Sequence, residues 1–416
     1  MNNLQVNSSK DLSLIIADFE RKIGIIGHGD DQWVAGVQYI QSLIIGRFLL
    51  QHKENTLLFL HRDFHNPNDY NNVKDFVHQV QTFNLFYGSS YPLLKKWLAA
   101  GKRLLKNQKP LFPENNLPSM LECEEIDIIF PANGLLSRKY SQAKRICWIP
   151  DFQQLHFPEY FGFTEKILRY RAFRKMVKLA DKIILSNRVS YEDACRMAPS
   201  SAHKFEIMPF TMYLGSNWRI IDNDQICRKY DVPEDYLMFP SQFWKHKNHM
   251  TLFLAILLLK RRGLKINLVC TGLFYDPRFP NYCKELQSFV NKHELKSQIW
   301  ILGLLPRIDQ VQLMRKARAI VQPSLYEGWS ALLEDCRGLG KVVFVSDIVM
   351  HREQQPDNAI FFDPGKPEQL ADLIDDHWQQ IVPSIGTVHE QKGEQLNLDG
   401  LKRFAQKFSD ICNTLP

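Results

Sequence analysis

The chain has 416 residues, 45% hydrophobic and 23% charged, which is globular, too long for one ordinary core, and suggestive of two domains of similar size. Lys plus Arg exceed Asp plus Glu by 52 to 45, and the resulting +7 favours anionic ligands or a membrane surface while being too small to argue for nucleic acid. The eight cysteines are scattered without a close pair, which disfavours a disulfide framework or zinc site and fits reduced thiols in the cytoplasm.

Met1 to Lys10 are polar and show no signal peptide, and the most apolar run, Leu252 to Leu259, falls far below the ~18–20 residues of a membrane span. In chain order, Lys22 to Ile26 predicts a first strand, Gly27 to Asp31 a loop, and Trp33 to about Gln51 a helix. Glycines at such a join let backbone approach a ligand closely. Gly27 and Gly29 lack the third glycine of a dinucleotide fingerprint, and no acid follows the second strand, Thr56 to Leu60, cleanly. A nicotinamide-binding domain is therefore disfavoured.

In Tyr91 to Lys109, Leu93, Leu94, Trp97, Leu98, Leu104 and Leu105 fall on one helical side and basic residues crowd the rest. A solvated surface helix is the simpler reading, and a helix lying in a membrane interface the alternative. Asp127 to Phe130 and Arg145 to Ile149 predict strands. The loop Pro150 to Pro158 then sits at a strand's carboxyl end, where open α/β sheets bind ligands, so Asp151 and His156 are site candidates. Each also has an ordinary reading, Asp151 as a cap and His156 as a packed ring. Lys166 to Lys182 is a second basic helix, followed by strands at Lys182 to Leu185 and Phe205 to Met208.

This alternation predicts a parallel sheet covered on both faces. We divide the chain into a first α/β domain (1–215), a linker (216–235), a second α/β domain (236–385) and a terminal helical segment (386–416). Asp222-Asn223-Asp224 in the linker has the form of an Asp-x-Asp metal pair but reads as a solvated turn, and no metal site is expected.

After Pro233 the alternation restarts with strand Leu237 to Pro240 and the loop Ser241-Gln-Phe-Trp-Lys-His-Lys-Asn-His249. Two lysines, two histidines, an Asn and a Gln at a strand's carboxyl end point to an anion, Lys245 and Lys247 being compact phosphate donors. Strands at Ile266 to Cys270, Ile299 to Gly303, Ala319 to Val321, Val342 to Val345 and Ile360 to Phe362 follow, with helices between them and a last helix over Leu401 to Cys412.

The most informative stretch is Pro323-Ser-Leu-Tyr-Glu-Gly-Trp-Ser-Ala-Leu-Leu-Glu-Asp335. It joins a buried strand to a helix running from Ala331 to Leu339, with Ser330 in the first turn and two acids, Glu334 and Asp335, in the second. The N–H groups of a helix start bind anions. A carboxylate in the loop, Glu327, and one further on can bracket a ligand with phosphate in its middle and hydroxyls at both ends, the outline of a sugar nucleotide. Acids early in a helix are also favoured by its dipole alone.

These residues resemble the GT-B glycosyltransferases, and within them the retaining enzymes of glycosyltransferase family 4. The likeness covers Phe239 to about Asp376, carried by Ser241–His249, Gln322–Ser330 and Leu339–Gln354, and is looser in the first half, at Gly27–Gly36 and Trp148–His156. It implies two facing Rossmann-like, doubly wound domains with the active site between them. The second would hold the nucleotide sugar and the first the acceptor, with the terminal helix crossing back to the first.

Glu327 takes the place of the family's first donor-contacting Glu, which meets the sugar hydroxyls. Asp335, eight positions on, takes that of the second, which meets the ribose, with Glu334 beside it as the alternative. Lys247 fits the family's diphosphate Lys, whereas Gln242 stands where the family has Arg, so Lys245 is the candidate replacement. Gly328, Trp329 and Ser330 would approach the donor, and Gly36 matches the small residue that lets the first domain near the diphosphate. The family's acceptor-side His-Asp reads Pro150-Asp151 here, leaving the His role vacant or passed to His156.

The expected activity is transfer of a hexose from GDP-mannose or a UDP-hexose to a hydroxyl of a glycan or lipid-linked acceptor, with retention and without a required metal or other cofactor. Location is expected in the cytoplasm, with peripheral contact at the inner face of the plasma membrane as an option. An inactive nucleotide-sugar-binding or scaffold protein, suggested by Gln242 and the missing His, and a GT-B nucleotide-sugar epimerase are the alternatives.

Overall fold

The computed structural model describes residues 21–28, 34–61, 70–83, 121, 124–133, 142–215 and 218–416. The basic stretch Tyr91 to Lys109 and most of the loop after the first strand lie outside them.

The first sheet has seven strands: β1 (Ile23–Ile26), β2 (Thr56–His61), β3 (Gln79–Phe83), β4 (Ile128–Phe130), β5 (Lys144–Ile149), β6 (Lys182–Leu185) and β7 (Phe205–Ile207), in the order β3-β2-β1-β4-β5-β6-β7. The second has six: β8 (Leu237–Pro240), β9 (Leu268–Thr271), β10 (Ile299–Ile301), β11 (Ala319–Gln322), β12 (Val343–Ser346) and β13 (Ala359–Phe362), in the order β10-β9-β8-β11-β12-β13. Neighbouring strands pair in parallel throughout.

Central strands such as β1 (IGII) and β8 (LMFP) are apolar along their length because both faces of the sheet are covered, whereas the edge strand β3 (QVQTF) is partly polar. In the first sheet alternate residues feed opposite cores. Ile23, Ile25, Leu58 and Trp148 pack on one side, and Ile26, Leu57, Phe59 and Cys147 on the other. That is the two-residue period of a pleated strand.

Strand order reverses between β1 and β4 in one sheet and between β8 and β11 in the other. Ligand crevices open at the carboxyl ends of strands at such reversals. The loops after β5, β8 and β11 meet there.

The last helix is longer than expected: Val388–Asn413, 26 residues. Thr387 caps it by accepting from the Glu390 N–H at 3.3 Å, and Thr-x-x-Glu is a start signal readable in the sequence. Its first part joins the second domain, where Glu390 pairs with Arg315 at 2.7 Å. Its later part gives Leu401, Phe404, Phe408 and Ile411, spaced for one helical face, to a core of the first domain. At Gly46 of the first domain any Cβ would overlap the carbonyl oxygen of Leu401, so glycine is needed for this docking.

Two expectations are corrected. The segment read as an irregular linker contains a helix, Asn223–Lys229, packed on Arg307–Lys316 of the second domain. Asp222 is its N-cap, accepting from the N–H groups of Asp224 and Gln225, not a residue of a solvated turn.

Candidate functional site

A cleft of about 920 Å³ lies between the domains. The first domain lines it with Ala35, Trp148, Asp151 and Arg169, the second with Gln242, His246, Lys247, Arg307, Glu327 and Asp335 among others.

The loop after β8 turns through a short 3-10 segment, Lys245–Lys247, into Asn248, whose φ of 62° is left-handed and suits Asn. The Asn248 amide donates to the carbonyls of Pro323 and Pro364, both at 3.0 Å, and so ties this loop to that after β11. Lys247 is thereby delivered to Glu327. Its Nζ donates to both carboxylate oxygens, at 2.6 and 2.8 Å, and Gln322 Nε2 donates to Oε1 at 2.8 Å.

Glu327 is buried. Burial is the largest single influence and pushes its carboxyl pKa up, but Lys247, by charge and hydrogen bond, together with His246 and His351 outweighs it and holds the pKa below the usual range. His246, buried beside Lys247, is pushed down to about 3, first by burial and then by that cation, so its ring is neutral at ordinary pH.

Asp335 also lines the cleft and is buried. It takes both prongs of Arg307, at 2.5 and 2.7 Å. Glu334 does not line the cleft: it faces inward to Arg337 at 2.6 Å and Gln354 at 2.8 Å. Burial raises its pKa, with Arg337 opposing.

Ser330 is the N-cap of helix Ala331–Gly338, not part of its first turn, and its Oγ accepts from Leu333 N at 3.3 Å. Gln354 clamps the same residue, accepting from its N–H at 3.0 Å and donating to its carbonyl at 2.8 Å. The N–H groups of Ser330 and Leu333 are therefore occupied and drop out of the expected anion site, while Gly328, Trp329, Ala331 and Leu332 of the same stretch also line the cleft.

The same loop docks on the first domain. The Gly328 carbonyl accepts from the Asn187 amide, and Trp329 Nε1 donates to the Phe210 carbonyl at 2.9 Å. A Cβ at Gly328 would overlap the Pro150 carbonyl oxygen and come within 3.0 Å of Asp151 Cβ. Glycine here is required by the approach of the two walls.

Across the cleft, Asp151 accepts from Gln153 N at 2.9 Å. Its pKa is raised, mainly by desolvation and in part by Glu327, against the Gln153 N–H, Arg169 and Lys247, which draw it down.

Three expected site residues lie elsewhere. His156 is outside the cleft lining and pairs with buried Asp193 at 2.7 Å, its ring centroid 5.1 Å from that of Tyr326. Lys245 is exposed and also outside the lining, its Nζ 4.4 Å from the centroid of Phe279, so it does not replace the missing arginine. Gly36 is buried in helix Val34–Leu49, and its neighbour Ala35 faces the cleft. Gln242 does line the cleft, but its carboxamide oxygen accepts from Leu273 N at 2.8 Å.

The sequence reading missed Arg307, Gln354 and Arg169. Arg307 carried a positional signal: it follows Leu305-Pro306 at another strand-to-helix join on the same sheet edge. Gln354 and Arg169 are reached only through tertiary contacts. Among the described residues no group of three or more His, Cys, Asp or Glu is arranged to hold a metal ion, and no helix is long and apolar enough to cross a membrane.

Comparison with known proteins agrees with this geometry. Residues 223–380 match the family Glycosyl transferases group 1. "Putative glycosyltransferase EpsF" of Bacillus subtilis (strain 168) is 28% identical over 136 residues, a stretch that spans 33% of this chain and 33% of that relative's length. The structure of Anabaena Alr3699/HepE in complex with UDP and glucose superposes with a TM-score of 0.67 at 14% identity, covering 95% of this chain and 100% of that one. Sucrose-phosphate synthase (tll1590) from Thermosynechococcus elongatus gives 0.65 at 14% identity, covering 95% and 99%. At such identity the superpositions speak for the fold, two Rossmann-like α/β domains of GT-B type.

Proposed function

Starting from a group 1 glycosyltransferase domain set in a GT-B fold, we propose that the protein transfers a hexose from a nucleoside diphosphate sugar to a hydroxyl of a glycan or lipid-linked acceptor, with retention, as in family 4. The observation that carries this is the Lys247–Glu327 pair at 2.6 Å, in a cleft whose opposite wall holds Asp151.

In this reading Glu327 orients the hexose through its hydroxyls. Asp335 meets the ribose and Glu334 does not, since only Asp335 lines the cleft. Departure of the nucleoside diphosphate builds negative charge. Lys247 and the N–H groups of Ala331 and Leu332 are donors in place before it develops, and fixed donors of this kind lower the barrier. Arg307, bound to Asp335, adds a positive charge that Gln242 does not supply. The chain's own cations would then suffice without a metal. Asp151 orients the acceptor hydroxyl and is placed to take its proton, or the leaving phosphate takes it. The donor is GDP-mannose or a UDP-hexose, and contact with a membrane surface is compatible with the basic helix Phe163–Leu179.

The test is incubation with a panel of nucleotide sugars, following thermal shift and release of free nucleotide with and without acceptor. Acceptor-dependent nucleotide release is the expected result. Binding without any release would favour a nucleotide-sugar-binding protein, a reading to which the engaged amide of Gln242 lends support. Conversion of the donor sugar without release of nucleotide would mean an epimerase.

A further inference from the structure

In the cleft lining two guanidinium groups, one from each domain, share a single aromatic ring. Arg169, on helix Phe163–Leu179, has its Cζ 4.9 Å from the centroid of Phe161. Arg278, on the segment after β9, has its Cζ 4.3 Å from the same centroid. Both residues line the cleft. One carboxylate serves them both: Glu165 accepts from Arg169 Nε at 3.0 Å and lies 3.6 Å from Arg278 Nη2. The nearby Asp276 is engaged with backbone, accepting from the N–H groups of Lys245 at 2.8 Å and Arg278 at 2.9 Å.

Among the described residues Glu165 is the one carboxylate in contact with the two guanidiniums, while Asp276 turns its oxygens to backbone N–H groups. A guanidinium carries five N–H donors, and among the described residues neither group has a partner beyond Glu165 and the Phe161 ring. Stacking on an aromatic ring leaves the in-plane donors available, and those donors match phosphate and carboxylate oxygens two at a time. The field of the pair reaches both walls: Arg169 draws down the pKa of Asp151, and Arg278 that of His246.

We propose that Arg169 and Arg278 form a subsite for an anionic group, phosphate or carboxylate, carried by the acceptor beside the hydroxyl that meets Asp151. This rests on the glycosyltransferase reading and narrows it: the acceptor is an acidic or phosphorylated sugar, or one joined to a lipid through phosphate, and not a neutral glycan. Because the two arginines belong to different domains, the acceptor's anion also bridges the walls at the moment of transfer.

The experiment uses the full chain with UDP and GDP both saturating, so that a probe anion does not occupy the donor's diphosphate site. Glucose 6-phosphate, glucuronic acid and glucose are compared by thermal shift in the wild type, in the double variant Arg169→Gln/Arg278→Gln, and in Glu165→Gln. At least one anionic probe should bind where glucose does not, and its apparent affinity should fall about 10–100-fold in the double variant. Preference for glucose 6-phosphate over glucuronic acid, or the reverse, tells phosphate from carboxylate.

Glu165→Gln breaks the same inter-domain ion pair but keeps both cations. It should bind the anion at least as tightly as wild type, whereas a loss equal to that of the double variant would mean that the arginines only clasp the domains and would overturn the proposal. Equal binding of glucose, or no binding of either anion, would overturn it as well. If no nucleotide sugar is cleaved or bound while the anions still bind, it is the transferase reading that fails and not the subsite.

Discussion

The two walls of the cleft are assembled differently. On the second domain's side the central acids arrive already matched: Glu327 with Lys247, Asp335 with Arg307, and Glu334 with Arg337. On the first domain's side, Asp151 accepts one backbone N–H, and Arg169 shares its carboxylate with an arginine of the other domain. The first kind of wall has its electrostatics set before a ligand arrives, as stabilisation of a leaving group requires. On the proposed reading the second, with fewer such pairs, can differ between acceptors without disturbing the donor side.

The largest effect that would break this comparison is expected at the Lys247–Glu327 pair. Lys247→Met and Glu327→Gln should each lower turnover by about a thousandfold, read as nucleotide release with acceptor present. Glu327→Gln is preferred to Ala because the carboxamide keeps the side chain's volume and one oxygen acceptor for Lys247, whose charge either change leaves unpaired at a cost of about 3–5 kcal/mol. A rate near wild type in either variant would remove that residue from the mechanism.

Asp335→Asn should raise the donor KM about 10–100-fold, as expected when a charged contact to a ligand is lost. Glu334→Gln should leave KM alone and lower the melting temperature. The reverse pattern would exchange the roles of the two acids.

Gly328→Ala tests whether the walls must approach as closely as they do here. A Cβ at this position meets Pro150 and Asp151, so kcat/KM should drop about 10–100-fold through misalignment, with donor binding by the second domain largely kept. Unchanged transfer would show that this approach is not needed for the reaction.

The smallest effects concern pH. Asp151 has a raised pKa, so its carboxylate forms only as pH climbs above the ordinary Asp range. The acid limb of the rate profile should lie above that range and disappear in Asp151→Asn. Glu327 behaves oppositely. With its folded pKa below the unfolded value, the stability that its ionisation contributes is present above the usual Glu pKa of about 4.3 and is lost as pH falls through the folded value. The stability gap between wild type and Glu327→Gln should therefore be full above that range and close as pH falls through the folded value.

Much of the second domain could be read from the residues in order. Runs such as Leu237–Pro240 and Val343-Phe344-Val345 are apolar throughout because both faces of a parallel sheet are covered, and the loops after β8 and β11 announce their chemistry by composition. The proximity of Glu327, Lys247 and Asp335 in one crevice was expected from the motifs together, and the coordinates bring all three to it. The helical start at Val388 had a capping signal that went unread.

Direction was the harder matter. Glu334 and Asp335 are adjacent and chemically alike, yet a helix turns about 100° per residue, so one meets the cleft and the other Arg337 and Gln354. Lys245 and Lys247, two apart on a tight turn, likewise diverge, one to an aromatic ring and the other to Glu327. Local residue order accounts for strands, turns and the supply of charge, since those depend on nearest neighbours. Which charge meets which partner, and that Arg169 and Arg278 share a ring across 109 positions of chain (278 − 169), depends on how two domains face each other, and pairing across the cleft is set there.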